Sequence, residues 1–273
     1  MPTFSLLTMN CFGVPTGRTQ WRLLALADAL NRSDYHLVAL QEVQARRYRQ
    51  LLAAACTSYP AQAFEPFLHA PKGGLLTLSR LPIERAKFTL YRARRIARPP
   101  GIMDWMLHKG ALETRLVVAG VPIVVLNTHL NANYSGDWRA DNRYARAEQA
   151  QLRELAEIVA AQPPDALVIA AGDFNLPRAS WLYDEFLAAS GMVDPLAGDA
   201  RPTYRTPPGV PARYALPIDF AFVRAPRLPG LQVHADLRFG DKVTVAGRRP
   251  VYLSDHLGVE LRVAWDGPAP AAA

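Results

Sequence analysis

Short apolar runs alternate with amphipathic stretches along this chain, a pattern that is typical of a mixed α/β domain. Residues 4–10 and 35–41 are apolar runs of strand length. Between them, residues 18–30 place Trp21 and Leu24 near helical spacing. The N-terminal part therefore predicts a β-α-β unit, and the fold class is expected to be α/β (α+β).

The rest of the chain continues this alternation. Helices are predicted over residues 44–55 and 180–189, and from a cap at Asp141 or Asn142 to about residue 161. No internal period marks a repeat protein. Strands are predicted at residues 73–79, 111–119, 121–129, 166–172, 218–223, 231–239 and 257–265.

The pattern supports one domain over residues 1–265, a length that one large α/β domain can reach. Residues 266–273 contain no core residues and are expected to form a disordered tail. No apolar run approaches the roughly 20 residues that a membrane span needs. An integral membrane protein is therefore not expected.

Composition changes this picture only in part. Apolar residues make up 50% of the chain and charged residues 20%, so a large core is available and disorder of the bulk is excluded. The net charge of +7 favours anionic partners, although arginine, which supplies most of it, is also common in proteins of GC-rich genomes. Two cysteines and an N-terminus without secretory features favour a reducing compartment, and a cytoplasmic location is expected.

Acid, amide and imidazole groups stand where the predicted strands end. Any one of them alone would more often be a turn former or a solvated residue. Together they supply hard oxygen ligands for Mg²⁺, a carboxylate that can orient or deprotonate water, and donors for phosphate oxygens. The set comprises Asn10, Glu42, His129, Asp173, Asn175, Asp219, Asp255 and His256.

The order and spacing of these groups resemble the endonuclease/exonuclease/phosphatase superfamily. The resemblance extends over nearly the whole chain, from residue 10 to residue 256. It implies a four-layer α/β sandwich, with two mixed β-sheets packed face to face, helices outside and the site at one edge. Its motifs are Asn10, Gln41-Glu42, Lys109-Gly110, Asn127-Thr128-His129-Leu130, Gly172-Asp173-Phe174-Asn175, Ile218-Asp219 and Ser254-Asp255-His256.

The resemblance implies a metal side of the site. Glu42 would hold Mg²⁺ directly, with Mn²⁺ as a substitute. Asn10 would support the ion through its amide oxygen or a bound water, unless it only caps a turn. Asp255 would hold the tautomer of His256 and is also assigned to the metal.

For the other residues the resemblance implies phosphate chemistry. Asp173 would orient or deprotonate the attacking water, and Asn175 would donate to the phosphate. His129 would donate to the scissile phosphate. Asp219 would stabilise the site electrostatically or act at the leaving group, unless it only orders a neighbour. The resemblance leaves open whether Asp173 or His256 is the general base.

Local motifs favour some branches of the superfamily over others. His129 in Asn-Thr-His-Leu fits the sphingomyelinase, phosphatase, deadenylase and deoxyribonuclease branches better than the AP endonucleases. Asp104-Trp105 ahead of Lys109 resembles, with altered spacing, a loop of neutral sphingomyelinases. Arg146 and Gln149, on one face of the predicted helix, resemble residues of sphingomyelinase-like and tyrosyl-DNA-phosphodiesterase-like members, unless they only form a solvated helix face. The predicted substrate-binding residues are Lys109, Asn131, Trp138 and Arg146.

Two substrate classes remain open. The preferred hypothesis is a Mg²⁺-dependent phosphodiesterase that cleaves a lipid headgroup as a sphingomyelinase or phospholipase C does. The alternative is a nuclease or nucleotide phosphodiesterase, with Tyr134 and Trp138 as stacking aromatics. The segment 92–109 contains a cluster of arginines followed by an apolar-aromatic cluster. This pattern predicts peripheral membrane contact, unless the apolar part packs on the body of the domain. No obligate protein partner is indicated.

Overall fold

The structure is a computed structural model that describes residues 1–92, 107–245, 247 and 249–267. No helix among these residues combines the length and the apolar content needed to cross a bilayer. Within them the regular elements are β1 (Thr3–Asn10), α1 (Thr19–Asn31), β2 (Leu37–Gln41), α2 (Arg46–Ala55), β3 (Ala61–Ala63), β4 (Leu76–Ser79), β5 (Arg85–Leu90), β6 (Gly110–Val118), β7 (Val121–His129), α3 (Arg143–Ala160), β8 (Leu167–Asp173), α4 (Trp181–Ser190), β9 (Asp219–Arg224), β10 (Gln232–Arg238) and β11 (Gly258–Ala264).

The strands form two mixed sheets. One has six strands in the order β10-β11-β1-β2-β4-β3, and the other has five in the order β5-β6-β7-β8-β9. The pairs β1·β2 and β7·β8 are parallel, whereas their neighbours run antiparallel. Each sheet therefore contains one parallel pair near its middle, and the carboxyl ends of these two pairs carry the polar residues.

Alternation of side chains along the strands produces the layers. In β1, Phe4 and Leu6 belong to the core between the sheets, whereas Leu7 and Met9 pack beneath α1 and α2. The apolar side chains of β7 and β8 divide in the same way between the core and the layer under α3 and α4. The result is the predicted four-layer α/β sandwich, and the predicted fold class is confirmed.

The predicted elements are present, with ends that lie within three residues of the predicted ones. Asn142, rather than Asp141, caps α3 by accepting a hydrogen bond from the Tyr144 amide. The strand predicted from residue 73 starts only at Leu76, because Lys72–Gly74 forms a 3-10 turn. Two strands were not predicted from the sequence: β3, which has three residues, and β5, whose first half is exposed and lacks apolar alternation.

One glycine permits close packing of two strands beneath the site. Gly172 in β8 has a φ of +150°, and a Cβ there would lie 1.9 Å from the carbonyl oxygen of Thr128 in β7. Any larger residue would push β8 away from β7. The two strands can therefore bring the residues that follow them into direct contact.

Two predicted features extend outside the residues that the structure describes. The segment 92–109 is described only at residue 92 and from residue 107 onward, so Asp104-Trp105 falls outside. Of the predicted tail, residues 268–273 fall outside as well. The single domain over residues 1–265 stays a prediction.

Candidate active site

Strand register brings the predicted polar residues to one edge of the sandwich. His129 and Asp173 are partners in the parallel pair β7·β8. Asp173 and Asp219 are partners in the antiparallel pair β8·β9. Asn10 ends β1 in the parallel pair with β2, after which Glu42 follows. Groups that are far apart in the sequence therefore converge on one site.

Asp173 lies at the centre of this site. Its Oδ2 accepts a hydrogen bond from Asn10 Nδ2 at 2.9 Å and lies 3.5 Å from His129 Nε2 and 3.8 Å from His256 Nε2. Its Oδ1 accepts a hydrogen bond from the Asn175 amide at 3.0 Å. The side chain is 2% exposed. One carboxylate oxygen is thus held between two imidazoles and an amide.

His256 is oriented by Asp219 and not by Asp255. Its Nδ1 lies 2.9 Å from Asp219 Oδ2, which leaves Nε2 facing Asp173. Asp255 instead accepts a hydrogen bond from Ser254 Oγ at 3.2 Å and lines the cleft. The predicted Asp255–His256 contact is wrong, because successive side chains point in different directions whereas a paired strand can present Asp219 directly to the ring.

The surroundings set different charges on the two imidazoles. Burial lowers the pKa of His256, but the carboxylates of Asp219 and Asp173 outweigh it and raise that pKa above its ordinary value. Burial lowers the pKa of His129 well below its ordinary value, and the positive charges of Lys109 and His256 add to this. At neutral pH His256 is an imidazolium and His129 is neutral.

Burial also changes the basicity of the central carboxylate. It raises the pKa of Asp173 above its ordinary value, against the opposing effect of His256, and the charge of Asp219 adds to the rise. A carboxylate with a raised pKa accepts a proton more readily than a solvated one. Asp173 therefore has the position and the basicity of a general base.

Glu42 provides a half-buried carboxylate, on a strained backbone, at the side of the site that is predicted to hold the metal. Burial raises the pKa of its carboxyl group, so the charged form is destabilised unless a cation lies next to it. Its φ of 58° is rare for a residue with a side chain. Gly13 packs so closely that a Cβ there would lie 2.2 Å from the Glu42 carbonyl oxygen. The backbone is thus shaped to direct this side chain.

The residues on this side fit a hard divalent cation. The Asn10 amide oxygen accepts a hydrogen bond from the Phe12 amide at 3.0 Å, and a carbonyl oxygen has a second lone pair to offer. Glu42 and Asp255 line the cleft with carboxylates. Two carboxylates and one amide oxygen form the type of donor set that Mg²⁺ prefers.

A second group of atoms fits a cation less well. Ligand atoms of Asp173, Asp219 and His256 lie within 4.8 Å of one another. However, the imidazole of His256 is hydrogen-bonded to Asp219 and carries a positive charge. That charge opposes a cation at this position, whereas the carboxylates of Glu42 and Asp255 line the cleft without such a partner charge being required. The metal role of Glu42 stays a prediction.

Asn175 lies at the cleft with one donor already engaged. Its Nδ2 donates to the Leu130 carbonyl at 3.0 Å, and its φ is 56°. The amide group has a second hydrogen to offer to a ligand. Donation from Asn175 to a phosphate is compatible with this geometry and stays a prediction.

The predicted substrate-binding residues divide into two pairs. Lys109 and Trp138 line the cleft. Asn131 is buried and Arg146 is exposed, with its Nε donating to the Ala140 carbonyl at 3.1 Å. In the part of the chain that the structure describes, neither of these two belongs to the cleft lining. Their binding roles stay predictions without geometric support.

The polar groups form the floor of an open cleft of about 810 Å³. A cleft of this size accommodates much more than a phosphate group. Its wall carries aromatic side chains, of which Tyr134 and Trp138 were predicted from the sequence as stacking residues. These aromatic residues are Phe12, Tyr134, Trp138, Tyr204 and Tyr214.

A buried arginine that was not predicted from the sequence connects two of the segments that carry site residues. Arg22 of α1 is 7% exposed and donates to the carbonyl oxygens of Cys11, Phe12 and Leu253. It thereby connects the end of β1, which carries Asn10, with the segment that carries His256. The local sequence offers no signal for this role, because arginine in an amphipathic helix is normally solvated.

We expect Arg22→Met to destabilise the protein and weaken its affinity for Mg²⁺. The substitution keeps the length of the side chain but leaves buried carbonyl groups without a donor, each at a cost of about 1–3 kcal/mol. Denaturant unfolding and Mg²⁺ titration would measure the two effects. Arg18→Met, at an exposed position one turn earlier, is the matched control. Equal behaviour of the two variants would contradict a positioning role for Arg22.

Known proteins with similar sequences have names that refer to sphingolipid substrates. The chain is 28% identical over 199 residues to a putative neutral sphingomyelinase of Drosophila melanogaster, which covers 72% of this chain and 44% of the fly protein. It is 30% identical over 206 residues to an inositol phosphosphingolipids phospholipase C of Schizosaccharomyces pombe, covering 71% and 46%. The chain thus spans less than half the length of these curated relatives.

Solved structures share the fold, and a family model covers most of the chain. Sphingomyelinase C from Streptomyces griseocarneus has a TM-score of 0.73 at 24% identity over 96% of this chain and 99% of that one. D. rerio TDP2 complexed with a single-strand DNA product has a TM-score of 0.73 at 20% identity, with the same coverage. The family model matches residues 7–256. The protein belongs to the Endonuclease/Exonuclease/phosphatase family.

Proposed function

We propose that the protein is a Mg²⁺-dependent phosphodiesterase that hydrolyses the headgroup phosphodiester of a sphingolipid. The observation that carries this proposal is the position of Asp173 between a protonated and a neutral imidazole, beside the donor set of Glu42. A general base, a charged hydrogen-bond donor and a metal position are what attack of water on a phosphodiester requires. The sphingolipid enzymes among the similar proteins support this substrate class.

The residues of the chain divide the chemistry among them. Asp173 takes a proton from the attacking water at Oδ2, the oxygen that faces both imidazoles. His256 donates from Nε2 to a phosphate oxygen, and Asp219 holds its ring through Nδ1. His129 keeps its Nε2 near the same carboxylate. Mg²⁺ held by Glu42, Asn10 and Asp255 would neutralise negative charge on the phosphate.

A nuclease is the second candidate, and two observations favour it. The chain has a net charge of +7, and the cleft wall carries aromatic side chains on which bases could stack. The same aromatic wall also suits the apolar part of a lipid near its headgroup. We prefer the lipid because the similar sequences are those of sphingolipid enzymes.

A substrate panel with purified protein and Mg²⁺ tests the proposal. Sphingomyelin and an inositol phosphosphingolipid in mixed micelles would be compared with single-stranded DNA, double-stranded DNA and RNA, and ³¹P NMR would identify the products. We expect release of the phosphorylated headgroup, loss of activity with a chelator, and recovery with Mg²⁺ or Mn²⁺. The His256→Ala variant is the inactive control. Cleavage of nucleic acid without hydrolysis of either lipid would refute the lipid assignment.

A further inference from the structure

The loop that follows β3 presents apolar side chains to solvent. Four consecutive residues, from Pro66 to His69, are exposed. Phe67 is 40% exposed and Leu68 is 76% exposed. Single exposed apolar residues are ordinary, but two neighbours at the tip of one loop form a site that another apolar phase can cover.

Arginines of α2 lie directly beside this loop. Arg46 and Arg47 are exposed in the first turn of the helix, and the Arg46 amide donates to the His69 carbonyl at 2.6 Å. Arg49 lies over the ring of Phe64 at 4.4 Å. Helix and loop are thus joined into one surface, to which α2 contributes positive charges.

A concavity of about 330 Å³ lies between the helix and the loop. Its walls are formed by Arg46, Arg49, Phe64 and Phe67, together with two prolines and an alanine, and no carboxylate lines it among the residues that the structure describes. The nearby Glu65 is paired with Lys72 at 3.2 Å. The surface therefore suits an anionic group that lies next to an apolar phase.

This surface adjoins the mouth of the active-site cleft. The ring of Phe67 lies 4.5 Å from that of His108, and the preceding residue, Leu107, lines the cleft. Gln44, two residues before Arg46, lines the cleft as well. A planar partner that covers the loop would therefore lie next to residues of the cleft wall.

We infer that the surface formed by Arg46, Arg47, Arg49, Phe67 and Leu68 docks on an anionic membrane and presents lipid headgroups to the cleft. Phe67 and Leu68 would enter the boundary between headgroups and acyl chains, while the arginines contact anionic headgroups. This inference rests on the proposed function. It names residues other than 92–109, the segment for which the sequence predicted membrane contact.

A membrane explains the surface better than a nucleic acid. The most exposed apolar residue, Leu68, can neither stack on a base nor form a hydrogen bond with one. An acyl boundary accepts an aliphatic side chain, and arginine beside it contacts the phosphate layer. The combination of aliphatic and basic side chains around one loop is typical of interfacial contacts.

Sedimentation with vesicles tests the inference independently of catalysis. Vesicles of phosphatidylcholine alone would be compared with vesicles that also contain phosphatidylserine. We expect Phe67→Ser/Leu68→Ser to reduce partitioning to both by about tenfold or more. Arg46→Gln/Arg49→Gln should reduce partitioning only to the anionic vesicles, by about fivefold for each arginine. Leu68→Trp should increase binding to both.

Matched controls separate this surface from general effects. Val193→Ser removes an apolar side chain that is 61% exposed on another part of the protein, and Arg227→Gln removes an exposed charge. Both should bind vesicles like the unchanged protein. All variants should also hydrolyse a soluble phosphodiester such as bis(p-nitrophenyl) phosphate at the same rate. If neither the unchanged protein nor any variant hydrolysed this phosphodiester, the result would refute the proposed function, not the docking surface.

Two results would overturn the docking assignment. One is unchanged vesicle binding in both double variants and in Leu68→Ser alone, which removes the 76% exposed side chain. The other is a loss of binding to a single-stranded oligonucleotide, with vesicle partitioning retained. The second result would assign the surface to nucleic acid.

Discussion

Replacement of His256 by alanine is expected to reduce kcat on the phosphodiester by roughly 10²–10⁴ while leaving the protein folded. The imidazolium faces the central carboxylate. In the proposed mechanism its removal would take away the charged donor to the phosphate in the transition state. Single-turnover rates measure the chemical step without a contribution from product release. A His256→Ala variant with unchanged rates on every substrate would exclude His256 from the reaction.

Single-turnover rates of further variants, together with ¹⁵N NMR, can identify the carboxylate that orients His256. Asp219→Asn should approach the loss seen for His256→Ala, because it removes the charge that holds Nδ1 at 2.9 Å. Addition of Asp219→Asn to His256→Ala should cause little further loss, since groups that act as a unit are non-additive. Asp255→Asn should leave the ¹⁵N shifts of the His256 ring unchanged. A change in these ¹⁵N shifts in Asp255→Asn, but not in Asp219→Asn, would contradict the structure.

Replacement of Glu42 by glutamine is expected to abolish most activity and to lower Mg²⁺ affinity by at least the roughly 10–100-fold that the loss of an outer-shell partner costs. Glutamine keeps the size of the side chain but removes the charged oxygen ligand. Without Mg²⁺ the variant should be at least as stable as the unchanged protein. The reason is that burial raises the pKa of the Glu42 carboxyl group, so the ionised form lowers stability at pH values above its ordinary pKa.

Thermal unfolding with and without Mg²⁺ measures this effect apart from catalysis. The unchanged protein should gain stability as Mg²⁺ rises above its dissociation constant, because the ion binds only the folded state. Glu42→Gln should lose that gain. Glu84→Gln, which removes an exposed carboxylate, should keep it. A full Mg²⁺-dependent stabilisation of Glu42→Gln would remove Glu42 from the metal site.

Local sequence pattern was sufficient to predict most elements of the sandwich. The strands β1, β7 and β8 are almost wholly buried because both of their faces are covered, and each of them ends in a polar residue. Residue type at these ends was enough to predict side chains that the structure brings together at one edge of the sandwich, and their catalytic roles stay predictions. The seven-motif resemblance added the four-layer arrangement, which the strand pattern does not contain.

Pairing between distant segments decided the rest. The sequence placed Asp255 next to His256, but strand register put Asp219 against the ring, and adjacency along a chain says little about which side chains meet. Arg22 became a bridge between two segments only because α1 packs beneath β1. Such contacts depend on register and packing over more than 200 residues, and no local periodicity records them.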